Sequence, residues 1–180
     1  MINIVDRPAE AADRAVPGHW EGDLIMGRAN KSSIGTLVER TTRLAILLHL
    51  PAGSADPLAL QEAIVAGIGQ LPKHLRLSLT WDKGLHMRRH AEITLAADLP
   101  IYFCDPHSPW QRGSNENTNG LLRQYFPKGT DLSVHDAEHL DAVAAELNGR
   151  PRKTLGFITP AEAMQRLLSD PDKPVVATTA

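Results

Sequence analysis

The chain has 180 residues, 42% of them hydrophobic, which is enough for one compact domain with a real core and too apolar for a disordered chain. Its single cysteine, Cys104, excludes an internal disulfide framework and reads as a buried strand residue in a reducing, cytoplasmic setting. The formal net charge of −2 places strong sequence-specific duplex affinity outside this chain, and neither a membrane-length apolar run nor a signal peptide is present.

Residues 1–17 read as a loose leader with a short helical patch, 18–168 as one core domain, and 169–180, with Pro171 and Pro174, as a flexible tail. Residues 19–26, 34–40 and 44–50 read as strands, with a tight hairpin at Thr41-Thr42 between the last two. Asp56-Pro57 supplies a cap and a first-turn proline for a helix whose apolar stripe is Leu60, Ile64, Ile68 and Leu71. Leu75, Leu77, Leu79 and Trp81 alternate with polar residues, the period of a strand. A helix over 85–96 and a short strand over 101–104 follow. The remainder is helical: residues 114–125, then a helix starting at Ser133 in a capping box with Asp136 and carrying Leu140, Val143, Ala144 and Leu147, then one from Thr159-Pro160 boxed by Glu162. A three-stranded meander followed by alternating helices and strands predicts an α/β domain: a mixed five-stranded sheet flanked by helices, in the order of a ribonuclease-H-like fold.

Metal-assisted phosphodiester chemistry needs hard oxygen ligands gathered from separate elements. Three acids are placed for it. Asp23 lies in a predicted strand, where Asp is a poor fit; alone it reads as an outward-facing acid sharing a face with Glu21. Asp82 ends the strand closing at Trp81, a ligand position in open α/β sheets, though it also reads as a helix cap. Glu116 falls on the side of its helix opposite Thr118, Leu121, Leu122 and Tyr125, with Gly120 one turn on leaving room for close approach; alone it reads as a solvated first-turn acid. Asp105 is a rival that also ends a strand, but Pro106 beside it suits a turn.

The stretch Tyr102 to Phe126, YFCDPHSPWQRGSNENTNGLLRQYF, resembles the third catalytic segment of bacterial transposases of the insertion-sequence-thirty family. The resemblance continues through 127–132, 148–155 and Thr159-Pro160; residues 17–25 resemble the family's first catalytic segment and 79–84 its second. It implies a retroviral-integrase-type catalytic core with a triad at Asp23, Asp82 and Glu116, residues 83–115 lying between the last two. It further implies two Mg²⁺ or Mn²⁺ ions held by those acids, DNA as partner (element ends and target), a homo-oligomeric active complex, and no small-molecule cofactor. Two departures stand out. His86 occupies a position where the family usually has Glu, and no counterpart of the family's N-terminal helix-turn-helix region precedes Asp23, so the chain is expected to be a truncated core.

Arg112 and Asn115 are placed to hold phosphate near a helix start, and Asn119, Arg123 and Lys128 are further candidates for DNA contact. Trp110 reads either as packing under its loop or as a stacking platform for a displaced base. Arg150, Arg152 and Lys153 read as DNA-backbone contacts or as compensation of a helix C-terminus. His86/His90 and His135/His139 have half-zinc-site spacing but read as solvent-facing. Beside an active transposase core stand two alternatives: an inactive remnant that only binds nucleic acid, and a simple metal-dependent nuclease.

Overall fold

A computed structural model of the chain describes residues 1–12, 14–51, 53, 56–170 and 172. The elements in order are β1 (Ile2–Asn3), β2 (His19–Met26), β3 (Ser33–Glu39), β4 (Ala45–Leu50), α1 (Pro57–Ile68), β5 (Ser78–Trp81), α2 (His90–Ala97), β6 (Ile101–Phe103), α3 (Gly113–Leu122), α4 (Ala137–Asn148) and α5 (Pro160–Ser169). They build one mixed sheet in the order β1-β6-β5-β2-β3-β4. β2, β3 and β4 form the antiparallel meander, while β2–β5, β5–β6 and β1–β6 are parallel. The sheet therefore has six strands, not the five expected; the extra one is a two-residue strand, too short to show an alternation. The expected tail falls mainly outside the described residues.

Strand alternation divides the apolar residues between two faces. Trp20, Leu37, Leu48, Leu79 and Trp81 meet Leu60, Ile64 and Ile68 of α1 and Ile93 of α2 on one face. Ile25, Ile34, Val38 and Leu47 meet Leu122 at the end of α3 and Leu140, Val143 and Leu147 of α4 on the other. The predicted stripes are thus the buried ones, each fully buried aliphatic side chain contributing roughly 1.5–3 kcal/mol. At the β3–β4 turn, Glu39 accepts the amides of Thr41 and Thr42 at 3.1 and 2.6 Å, which closes the expected hairpin.

Several predicted boundaries move. Residues 73–75 form a 3₁₀ turn, so the strand begins at Ser78; Leu75 is buried from the turn and mimics strand period. The helix expected from 85 begins at His90, after a separate turn at Leu85–Met87. Asp136, not Ser133, caps α4, accepting the His139 amide at 2.8 Å, while Ser133 donates its own amide to Asp131. The capping box at Thr159 and Glu162 forms as predicted. Among the described residues no helix is long and apolar enough to cross a membrane.

Candidate active site at the carboxyl ends of the parallel strands

β2 and β5 run parallel with Glu21 level with Thr80. Asp23 lies two residues further along β2, and Asp82 directly follows the last residue of β5. Between them, Gly22 lies against the Trp81 ring, so closely that a Cβ there would meet ring carbons at 2.1 Å. A glycine is therefore required where the two acid-bearing strands pass.

Arg112, just before α3, contacts Asp23 and feels the charge of Asp82. Its Nη1 stands 3.1 Å from Asp23 Oδ1 and donates to the Gly22 carbonyl at 2.9 Å. Burial alone lowers the Arg112 pKa, but the charge and hydrogen bond of Asp23, with a further contribution from Asp82, outweigh it and hold the proton more tightly than usual. Asp23 is 30% exposed on its side chain, and its other oxygen accepts from Asn119 Nδ2 at 3.2 Å. Asp82 lines a cleft of about 490 Å³ with Lys83, Cys104, Asp105, His107 and Arg112. Cys104 is buried, as expected, and burial pushes its thiol pKa up. Asp105 is a loop tie: it accepts from Asn3 and Gln111, both at 3.0 Å.

Glu21, two residues before Asp23, points to the same face but is fully buried beneath α3. It pairs with Arg40 at 2.8 Å, and its second oxygen accepts the Asn115 amide at 2.8 Å, filling one of the open donors in the first turn of α3. Asn115 is fully buried, with Nδ2 on the Glu21 carbonyl at 3.1 Å, and Thr36 bonds both Asn115 and Asn119. Glu116 follows Asn115 and lies three residues, one helical turn, before the Asn119 that holds Asp23; its side chain is exposed. The structure thus brings Asp23 and Asp82 together around Arg112, while Glu116 stands a turn away on α3. Among the described residues no three His, Cys, Asp or Glu side chains close on one point.

The other candidates divide. Asn115 and Asn119 serve the interior, and Arg123 ties α3 to the Met26 and Phe126 carbonyls at 3.3 Å. Arg152 donates to the Leu147 carbonyl at 3.2 Å, the contact of the helix-end reading, whereas Arg150 contacts the side chains of Glu146, Gln124 and Tyr125. Lys128 and Lys153 are exposed. Trp110 is 72% exposed and does not pack under its loop. His139 is exposed, as expected, and stacks at 4.8 Å on half-buried His135 beside Phe126, while half-buried His90 meets Phe103 edge-on. Gly120 has open space around it. Sequence reasoning missed Glu21 and Thr36 as site supports; the signal was present in the i, i+2 spacing of Glu21 and Asp23, which puts both on one face.

The sheet order, helices on both faces and acids at the parallel strand ends define a ribonuclease-H-like fold of the integrase-core type. The catalytic core domain of BIV integrase superposes with a TM-score of 0.58, covering 87% of this chain and 99% of that one at 18% identity. A chain of a simian T-cell lymphotropic virus intasome, solved in complex with PP2A regulatory subunit B56 gamma, gives 0.66 over 92% of this chain and 59% of that one, also at 18% identity. No protein-family model matches the chain. Its sequence is 53% identical over 172 residues to the transposase of insertion sequence element IS1086 from Cupriavidus metallidurans, covering 95% of this chain and 50% of that protein. It is 50% identical over 171 residues to transposase InsI of IS30C from Escherichia coli, covering 92% and 44%. The IS4351 transposase of Bacteroides fragilis matches at 35% over 168 residues, covering 93% and 51%. Over the stretch it shares with them the chain is similar to insertion-sequence transposases, IS30 among them, and it spans about half the length of the curated relatives it matches.

Proposed function

We propose that this chain is the part of an insertion-sequence transposase that cuts and joins DNA phosphodiester bonds, with Asp23, Asp82 and Glu116 as its acids. The observation that carries the reading is that Asp23 on β2, and Asp82 directly after the parallel neighbour β5, both act on the Arg112 guanidinium. Carboxylate oxygens are the donors that Mg²⁺ or Mn²⁺ takes, and the cleft already accommodates a cationic group, so the donor chemistry fits a divalent ion. Asp23, Asp82 and Glu116 would hold the ions, two on this reading. When bound, they supply an activated attacking oxygen and charge stabilisation at the leaving oxygen.

The chain's own residues bind and orient. β2 carries Asp23, β5 leads directly into Asp82, and the buried Glu21–Asn115 contact fixes the helix that carries Glu116. Arg112, Lys128, Arg150 and Lys153 offer cationic groups to the DNA backbone, and exposed Trp110 offers a face on which a displaced base stacks. The active species is a homo-oligomer assembled on element ends and target.

The test is a strand-transfer assay with pre-cleaved element ends and Mn²⁺. Joined product should form with the 180-residue chain and fall on the order of 10²–10³-fold in Asp82→Ala. Nicking without joining would instead identify a nuclease, and no product from folded chain would reject the catalytic reading.

A further inference from the structure

On the flank of α3 away from Asp23, three arginines from three separate segments line one cavity of about 260 Å³: Arg14 from the stretch before β2, Arg43 from the β3–β4 turn and Arg152 from the stretch after α4. Gly113, Asn117 and the Thr154 hydroxyl complete its polar rim, and no acidic side chain is among its described lining residues. A Cβ on Gly113 would come within 3.6 Å of Arg14 Nη2, which places that guanidinium at the start of α3. Arg43 donates to Ser114 Oγ at 2.7 Å in the same helical turn. The nearby carboxylates are already engaged: Glu21 by Arg40 and the Asn115 amide, Glu39 by the Gly18, Thr41 and Thr42 amides.

This cluster is unfavourable as it stands. Burial and then repulsion from Arg14 lower the pKa of Arg43; burial and then Arg150 lower that of Arg152. Arg152 Nε is buried without a hydrogen-bond partner, a donor whose desolvation nothing offsets. Arg14 and Arg43 both hold left-handed backbone, φ 62° and 64°, a conformation uncommon for side chains of this size and often found at binding sites. An anion would offset the mutual repulsion of these guanidinium groups and offer an acceptor to their N–H donors. The cavity is smaller than pockets for organic ligands, and planar guanidinium forks match phosphate oxygens.

We propose that Arg14, Arg43 and Arg152 form a phosphate-binding pocket that takes a backbone phosphate of DNA lying across α3. The assignment rests on the reading of the chain as acting on DNA. The test omits divalent metal and asks only for binding, so it stands apart from strand transfer. The arginine Nε–H signals of the ¹⁵N-labelled chain are followed by NMR while inorganic phosphate, or separately a duplex oligonucleotide, is added. The duplex should move the signals of all three arginines and the Gly113 amide. In fluorescence anisotropy, Arg14→Gln and Arg152→Gln should each lower the slope of log K against log salt by about one. DNA binding that leaves these signals unmoved overturns the proposal. So does a pocket that answers to inorganic phosphate but not to the duplex, which would be a free-anion site. The NMR arm uses the unaltered chain and decides the matter even if a variant fails to fold.

Discussion

Asp23 and His19, four residues apart on β2, show how the same strand handles charge at its two ends. Asp23 lies 3.1 Å from Arg112 Nη1 and accepts from Asn119 Nδ2 at 3.2 Å. His19 is buried at 1% exposure, with Nδ1 at 2.7 Å from Ser78 Oγ. Burial lowers its pKa below the ordinary 6.5, only partly offset by Glu10. Its neutral form therefore belongs to the fold, and the unfolded chain binds the proton first as pH falls. The stability it contributes is complete above pH 6.5 and is lost as pH drops through and below that value. His135, lowered by burial and then by His139, adds a slope of the same sign. We predict that the melting temperature falls between pH about 6.5 and about 5.5, and that His19→Gln flattens part of the fall. An unchanged profile in that variant would remove His19 from the account.

At the scale of elements, the meeting of β2 with β5 decides whether the acids face each other. Gly22→Ala puts a methyl into the Trp81 ring, and overpacking of this kind costs about 1–3 kcal/mol. We predict a melting temperature lower by about 2–4 °C per kcal/mol, partly restored by adding Trp81→Leu. A wild-type melting curve for Gly22→Ala would show that the strands do not pass as described. Most of these elements are legible from the sequence, because Leu60, Ile64 and Ile68, or Trp20 and Ile25, carry their period in the residues themselves. Boundaries are less so: Leu75 and Leu77 continue an alternation into a turn, and Ser133 offers a cap that Asp136 supplies. The acids are weak signals singly and gain weight only from the family resemblance. The face that Glu21 shares with Asp23 is legible, but its burial is not, since that depends on Arg40 and on Asn115, 94 residues away, covering that face. The pairing of Arg112 with Asp23 is likewise illegible, since nothing nearby in the sequence announces it.

For the whole molecule, the two apolar layers leave the acid cleft at one end of the parallel strands, where an ion that binds only the folded chain raises its stability. We predict that Mn²⁺ at about 100 times its Kd stabilises the chain by about 2.7 kcal/mol, read as a higher melting temperature, and that Asp23→Asn and Asp82→Asn each abolish the rise. An undiminished rise in both variants would place the ion elsewhere. Trp81 sits one residue from Asp82 and against the glycine one residue from Asp23, buried at 1% exposure. Of the chain's three tryptophans, Trp20 is equally dry and only Trp110 is wet. The intrinsic emission therefore separates into a fraction that iodide quenches and a shielded fraction, so filling of the cleft can be followed from within, without any attached dye.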